Sequence, residues 1–87
     1  MNTQPPQLEL FHVISEPASA KVRRYVVDYS LEDQVRFRNL VYEEVEKDFL
    51  ARGGTLAPAI WDGERLIEGA EACIARLQRI VDIGRSQ

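Results

Sequence analysis

Cysteine is almost missing from this chain: Cys73 is the only one in 87 residues. An internal disulfide is therefore excluded, the fold must stand on packing alone, and a reducing compartment suits it. Histidine is equally scarce. His12 stands alone and far in sequence from Cys73, so no metal-ligand spacing exists and no metal is expected. No glycine-rich phosphate loop occurs. No apolar run approaches the roughly 20 residues of a membrane span, and no basic stretch leads into an apolar one as a signal peptide requires. The expected address is cytoplasmic, with no membrane partner. Positive charge is also short. The formal net charge is −3, a poor basis for nucleic-acid binding, because phosphate affinity rests on released counterions. Lys21, Arg23 and Arg24 cluster, as do Arg36 and Arg38; these read as the solvated faces of a helix and a strand.

What is present is one small domain. Apolar residues make up 45% and charged residues 29%, a globular balance that allows a thin core. Residues 1–7, polar and with two prolines, read as a tail. Leu8 to Ile14 is an apolar strand without alternation, as expected where both faces are covered. Ser15-Glu16-Pro17 reads as a helix start, with proline tolerated in the first turn. Val22, Val26 and Tyr29 follow as an apolar stripe, and the helix should end near Ser30. Leu31 to Gln34 is a polar connection.

Val35 to Tyr42 alternates, with Val35, Phe37 and Val41 on one face and Arg36 and Arg38 on the other. Glu43 to Arg52 predicts a helix with Val45, Phe49 and Leu50 inward and acids in its first turn. Gly53-Gly54 stops it. Leu56 to Trp61 is a short strand interrupted by Pro58. Asp62-Gly63 predicts a hairpin into a strand at Glu64–Ile67. Glu68-Gly69 breaks that strand. Ala70 to about Asp82 is the last helix, and residues 84–87 read as a tail, leaving 8–83 as the domain. The order is β-α-β-α-β-β-α. A right-handed parallel crossover and an antiparallel hairpin then predict an α/β domain: a four-stranded mixed sheet flanked by three helices on both faces.

In this length, that order resembles the thioredoxin-like fold in its glutaredoxin-like form. The run Thr55 to Gly69 carries the likeness. It is similar to the glutaredoxin segment in which a proline opens the third strand, an Asp-Gly turns the hairpin and a small-residue turn starts the last helix. The resemblance implies a cis proline at Pro58; the alternative is a trans proline at a strand's first residue. It also implies that the backbone of Ala57 is left free to pair with an extended thiol substrate.

The family's two redox cysteines flank the start of the first helix. The matching stretch is Ser15-Glu16-Pro17-Ala18-Ser19. Proline stays in register, Glu16 stands at the nucleophilic position and Ser19 at the resolving one. A carboxylate forms no disulfide, and an isolated serine is far too weak an acid to replace a thiolate. Dithiol exchange is therefore not expected. Cys73, inside the last helix, reads as a small buried hydrophobe. His12 lies mid-strand and would meet Ser15 only if the turn folded back, so no triad is assembled. Trp61 reads as packing, though an aromatic there could border a groove.

Two functions follow from the resemblance. The first is a non-catalytic module that binds a protein partner, itself a monomer or weak homodimer. Its Pro-Ala-Ser is similar to the Pro-Asn-Ser of a circadian-clock group that lacks the redox motif. The alternative is a glutathione- or thiol-ligand protein, akin to the N-terminal domain of glutathione transferases, in which Ser15 or Ser19 holds the thiol. Candidate groove residues are Ala57, Pro58, Gly69, Ala70 and Glu71. Glu16 would cap the first helix from within and repel an anionic ligand, and Ala70 offers no side-chain partner to a γ-glutamyl end. Glutathione is thus disfavoured, and no cofactor is expected.

Overall fold

In the computed structural model, residues 8–85 are described. The predicted tail at 1–7 lies outside them, as do residues 86 and 87. Seven elements follow in the predicted order: β1 (Leu8–His12), α1 (Pro17–Asp28), β2 (Val35–Asn39), α2 (Glu43–Ala51), β3 (Ala59–Trp61), β4 (Leu66–Glu68) and α3 (Ala70–Arg85). The sheet order is β2-β1-β3-β4. β1 and β2 are parallel, with Leu10 opposite Phe37 and His12 opposite Asn39. β3 runs antiparallel to both β1 and β4, so Ala59 faces Phe11 on one side and Glu68 on the other. The predicted four-stranded mixed sheet with three helices is what the chain forms.

Alternation along β1 divides the core. Leu8 and Leu10 point to the face covered by α1 and α3, where they pack with Val22, Val26, Val35, Ile60 and Leu77. Phe11 points to the opposite face, where it packs with Val45 and Phe49 of α2 and with Ala59. Burial on both faces is why β1 reads as a continuous apolar run.

Two helix ends use one device. After α1, Ser30 adopts φ 55°, its N–H donates to Val27 O, and Leu31 N donates to Val26 O at 2.8 Å. After α2, Gly53 adopts φ 85°, and Gly54 N donates to Phe49 O at 2.9 Å. These are Schellman closures, in which the residue beyond the cap packs back on the helix. Leu31 is accordingly buried in the core rather than part of a polar connection. The paired glycines of the second closure have separate tasks. Gly53 supplies the left-handed turn, while a Cβ on Gly54 would lie 2.4 Å from the Phe49 ring.

Several predicted boundaries move, each for a local reason. β2 ends at Asn39 rather than Tyr42, because the Asn39 side chain accepts the Val41 N–H at 3.0 Å and turns the chain away. β4 begins at Leu66, since Asp62 Oδ1 accepts from both Glu64 N and Arg65 N and draws them into the turn. β3 begins only at Ala59, after the cis Ala57–Pro58 peptide. Glu68 belongs to β4 instead of breaking it. Gly84 and Arg85, read as tail, continue α3, whose Ile80 and Val81 still rest on the core.

Candidate functional site

The register gathers the sequence-predicted site residues at one edge of the sheet. β1 ends there, β3 begins there opposite Phe11, and β4 ends there beside β3. The β1–α1 loop, Pro58 and the start of α3 therefore share this edge. Gly69 N donates to Pro58 O at 2.9 Å and so ties the α3 start to the β3 start. Pro58 is buried and Ala57 half-buried. Ala70 packs against the α1/α3 core, and Glu71 is exposed in the first turn of α3.

At the degenerate motif, Ser19 is the hub. It is fully buried. Its hydroxyl accepts the Val13 N–H at 3.1 Å and donates its own proton to Glu16 Oε1 at 2.8 Å. Glu16 is the N-cap residue of α1 in backbone terms, but its carboxylate makes no cap hydrogen bond. The predicted self-capping is thus replaced by a bond to Ser19. With its lone proton committed and no solvent access, Ser19 cannot meet a substrate. Ser15 and Pro17 are exposed; Ala18 is half-buried.

Arg23 corrects a second expectation. It leaves the solvated face of α1 and clamps the end of β1, donating to Val13 O at 3.1 Å and Ile14 O at 3.2 Å. The same guanidinium lies 3.1 Å from His12 Nδ1. A guanidinium can only donate, so Nδ1 accepts and the ring proton sits on Nε2. His12 is 3% exposed, and Nε2 finds no hydrogen-bond partner among the described residues. Burial, reinforced by the Arg23 charge, lowers the His12 pKa from its ordinary 6.5. His12 is therefore neutral and turned toward Arg23, not toward a serine.

Three further residues were not singled out correctly by pattern. Arg38, read as solvated, is tied to Glu9 and to Asp48 (3.0 Å), and Arg52 joins both acids at 2.9 and 3.2 Å. The Arg52 guanidinium stacks 4.8 Å above Trp61, so Trp61 does pack. Glu68, read only as a breaker, accepts from Thr55 N at 2.7 Å and Leu56 N at 2.8 Å, bonds that pull its pKa below the ordinary 4.5. It holds the loop that leads into Pro58. Nothing in local spacing reveals a contact spanning 13 residues.

Cys73 is fully buried, and its thiol lies 3.3 Å from Ile67 O. Burial pushes its pKa up to about 12, which removes the thiolate that redox chemistry needs. Among the described residues, no group of three or more His, Cys, Asp or Glu could hold a metal ion, and no helix is long and apolar enough to cross a membrane.

A half-open cavity of about 470 Å³ lies at this same edge, on the α2 side. The β1–α1 loop lines it with Val13, Ile14 and Ser15, the β2–α2 loop with Asn39, Leu40 and Val41, and α2 with Glu46, Phe49 and Leu50. Its volume falls within the roughly 300–1,000 Å³ of ligand pockets. The rim is apolar yet exposed: Ile14 59%, Val41 77% and Leu50 59%. Leu50 was expected inward, and Val41 on one face of the second strand with Val35 and Phe37. Val41 lies past the strand end, and Leu50 faces the cavity rather than the packed core. The available sequence signal was bulky apolar residues at element ends, where turns are ordinarily polar. No protein-family model matches this chain, and neither curated proteins nor solved structures give a significant match.

Proposed function

We propose that this chain is a non-catalytic, thioredoxin-like module that binds a partner protein, with the cavity-bearing edge of the sheet as its docking surface. The observation that carries the reading is the apolar cavity whose rim residues Ile14, Val41 and Leu50 remain exposed. Folding alone gives no reason to leave three large aliphatic side chains together in water, whereas burial in an interface does. The state of the motif supports the same reading. Glu16, Ser19 and Arg23 use their polar groups to fix the β1–α1 loop, which makes it a rigid platform rather than a reaction centre. A single buried thiol suits the cytoplasm.

The test compares pull-downs from a native lysate by the wild-type chain and by a Val41→Asp/Leu50→Asp variant that keeps the wild-type circular dichroism. Partners retained by the first and lost by the second support docking at this edge; identical recoveries reject it. NMR titration with reduced glutathione addresses the thiol-ligand alternative. Saturable shifts at Glu16, Ala57 and Ala70 at millimolar ligand would replace the docking reading with that one.

A further inference from the structure

Beyond partner docking, we infer that the half-open cavity is a binding site for a compact, uncharged, apolar small molecule. Val13, Ile14, Leu40, Val41, Phe49 and Leu50 make its lining mostly apolar, and its volume of about 470 Å³ is that of a small-molecule pocket. Val41 and Leu50 line the cavity itself, so a molecule that fills it covers the faces they turn inward.

Hydrogen bonding favours such a molecule over a peptide. Many polar backbone groups of the walls are already spent within the fold. Val13 N donates to Ser19 Oγ, and Arg23 donates to Val13 O and Ile14 O. Leu40 N donates to His12 O, and Val41 N to Asn39 Oδ1. A peptide would bring its own N–H and C=O groups out of water with few partners waiting for them. A hydrocarbon body brings none, and it can dry these walls without stranding the paired groups. One donor is left to orient it. Because Asn39 is held through Oδ1, its amide NH2 is available to a single carbonyl or hydroxyl oxygen.

Charge selects neither sign. Glu46 is the single ionisable side chain of the lining, and it is exposed. Arg23, through its bonds to the carbonyls of Val13 and Ile14, brings a cation to the same rim. The opposed charges give an entering ion no net attraction to offset the water it sheds in an apolar cavity. The occupant is therefore neutral.

A matched set of probes tests this: 1-naphthalenemethanol, 1-naphthoate and 1-naphthylmethylammonium share one aromatic body and differ in charge. Titrated into the full chain and followed by NMR, the alcohol should give saturable shifts at the methyl groups of Val13, Ile14, Leu40 and Leu50. It should bind about tenfold more tightly than either ion, because only the ions give up charge hydration. Leu50→Trp, which plugs the mouth, and Val41→Asp, which wets it, should keep the wild-type circular dichroism and lose the saturable binding. Either ion binding as tightly as the alcohol overturns the neutral class. No saturation by the alcohol at millimolar concentration, or saturation that survives in both folded variants, overturns the site. Docking is judged separately by the lysate pull-downs, so failure of one reading is distinguishable from failure of the other.

Discussion

On the α1/α3 face of the sheet, Leu8, Leu10, Val22, Val26, Ile60, Cys73 and Leu77 interlock with almost no exposure. On the α2 face, among the described residues, only Phe11, Val45, Phe49 and Ala59 are buried together, and the remaining area is covered differently. Half of it carries the Glu9–Arg38–Asp48–Arg52 ion network laid over Phe11 and Trp61. The other half opens into the cavity. A helix of nine residues cannot roof a sheet that helices of 12 and 16 cover on the other side. Stability is thus concentrated on one face, and the unfinished packing lies on the other, where the cavity opens.

The same substitution at two leucines breaks the comparison most sharply. Leu10→Ala empties a fully buried site and should cost about 3 kcal/mol, a large part of the stability of a domain this small. Leu50→Ala, on the cavity rim, should stay within about 0.5 kcal/mol. Urea denaturation measures both. A comparable loss at Leu50 would make the cavity an ordinary extension of the core.

Gly54→Ala sharpens the comparison from within the α2 face. The new Cβ would meet the Phe49 ring at 2.4 Å, and overpacking of this kind costs about 1–3 kcal/mol. Because Phe49 is also a cavity wall, its aromatic NMR resonances and those of the Leu40 methyl groups should shift together. Unchanged stability would mean that α2 can lift off the sheet at little cost.

Glu9→Gln probes the ionic half. It leaves Arg38 and Arg52 sharing Asp48 alone. Hydrogen bonds to charged groups contribute about 1.5–3 kcal/mol when well shielded. These side chains are 13–35% exposed, so screening trims the expected loss to about 1 kcal/mol. The difference between variant and wild type should shrink in 1 M salt, where the Debye length is about 3 Å. An equal difference at low and high salt would assign the loss to packing against Phe11 rather than to charge.

These contrasts also mark where sequence was sufficient. Apolar periodicity placed Val22, Val26 and Leu77 on the major face, and turn chemistry at Asp62-Gly63 and Gly53 placed the hairpin and the end of α2. Such signals are local: a helix stripe or a positive φ needs only neighbouring residues. The predicted motif and groove residues also came together at one edge, because parallel and antiparallel pairing follow from element order. Arg23, Arg38 and Glu68 were illegible as anything but charges, since their partners lie 9–29 residues away. Leu31 was misread because its burial depends on a closure through Ser30, a residue with no strong preference for that conformation. The cavity was invisible for a related reason. Alternation says which residues point toward α2, but not that α2 is too short to cover them.

The smallest expected effect concerns His12, on the well-packed face where an unsatisfied polar atom is least expected. Its pKa is lowered in the folded state by burial and by Arg23, so the unfolded chain takes up the proton first as pH falls. Above pH 6.5 the ring is neutral in both states and folding is unaffected. Below 6.5 the unfolded state binds more protons, and stability declines until the folded pKa is reached. Asp62 and Glu68 also have lowered pKa values, but their contributions fade only below the ordinary carboxylate values of 3.8 and 4.5. A slope between pH 7 and 5 therefore belongs to His12. Thermal unfolding across that interval should show a falling midpoint for the wild type and a flat one for His12→Gln, which keeps an acceptor within reach of Arg23 but does not titrate. A flat midpoint in both proteins would mean that the ring, once protonated, escapes Arg23 by turning Nδ1 to solvent, and that the dry face opens at its edge more readily than its packing implies; equal falling slopes would take the pH dependence away from His12.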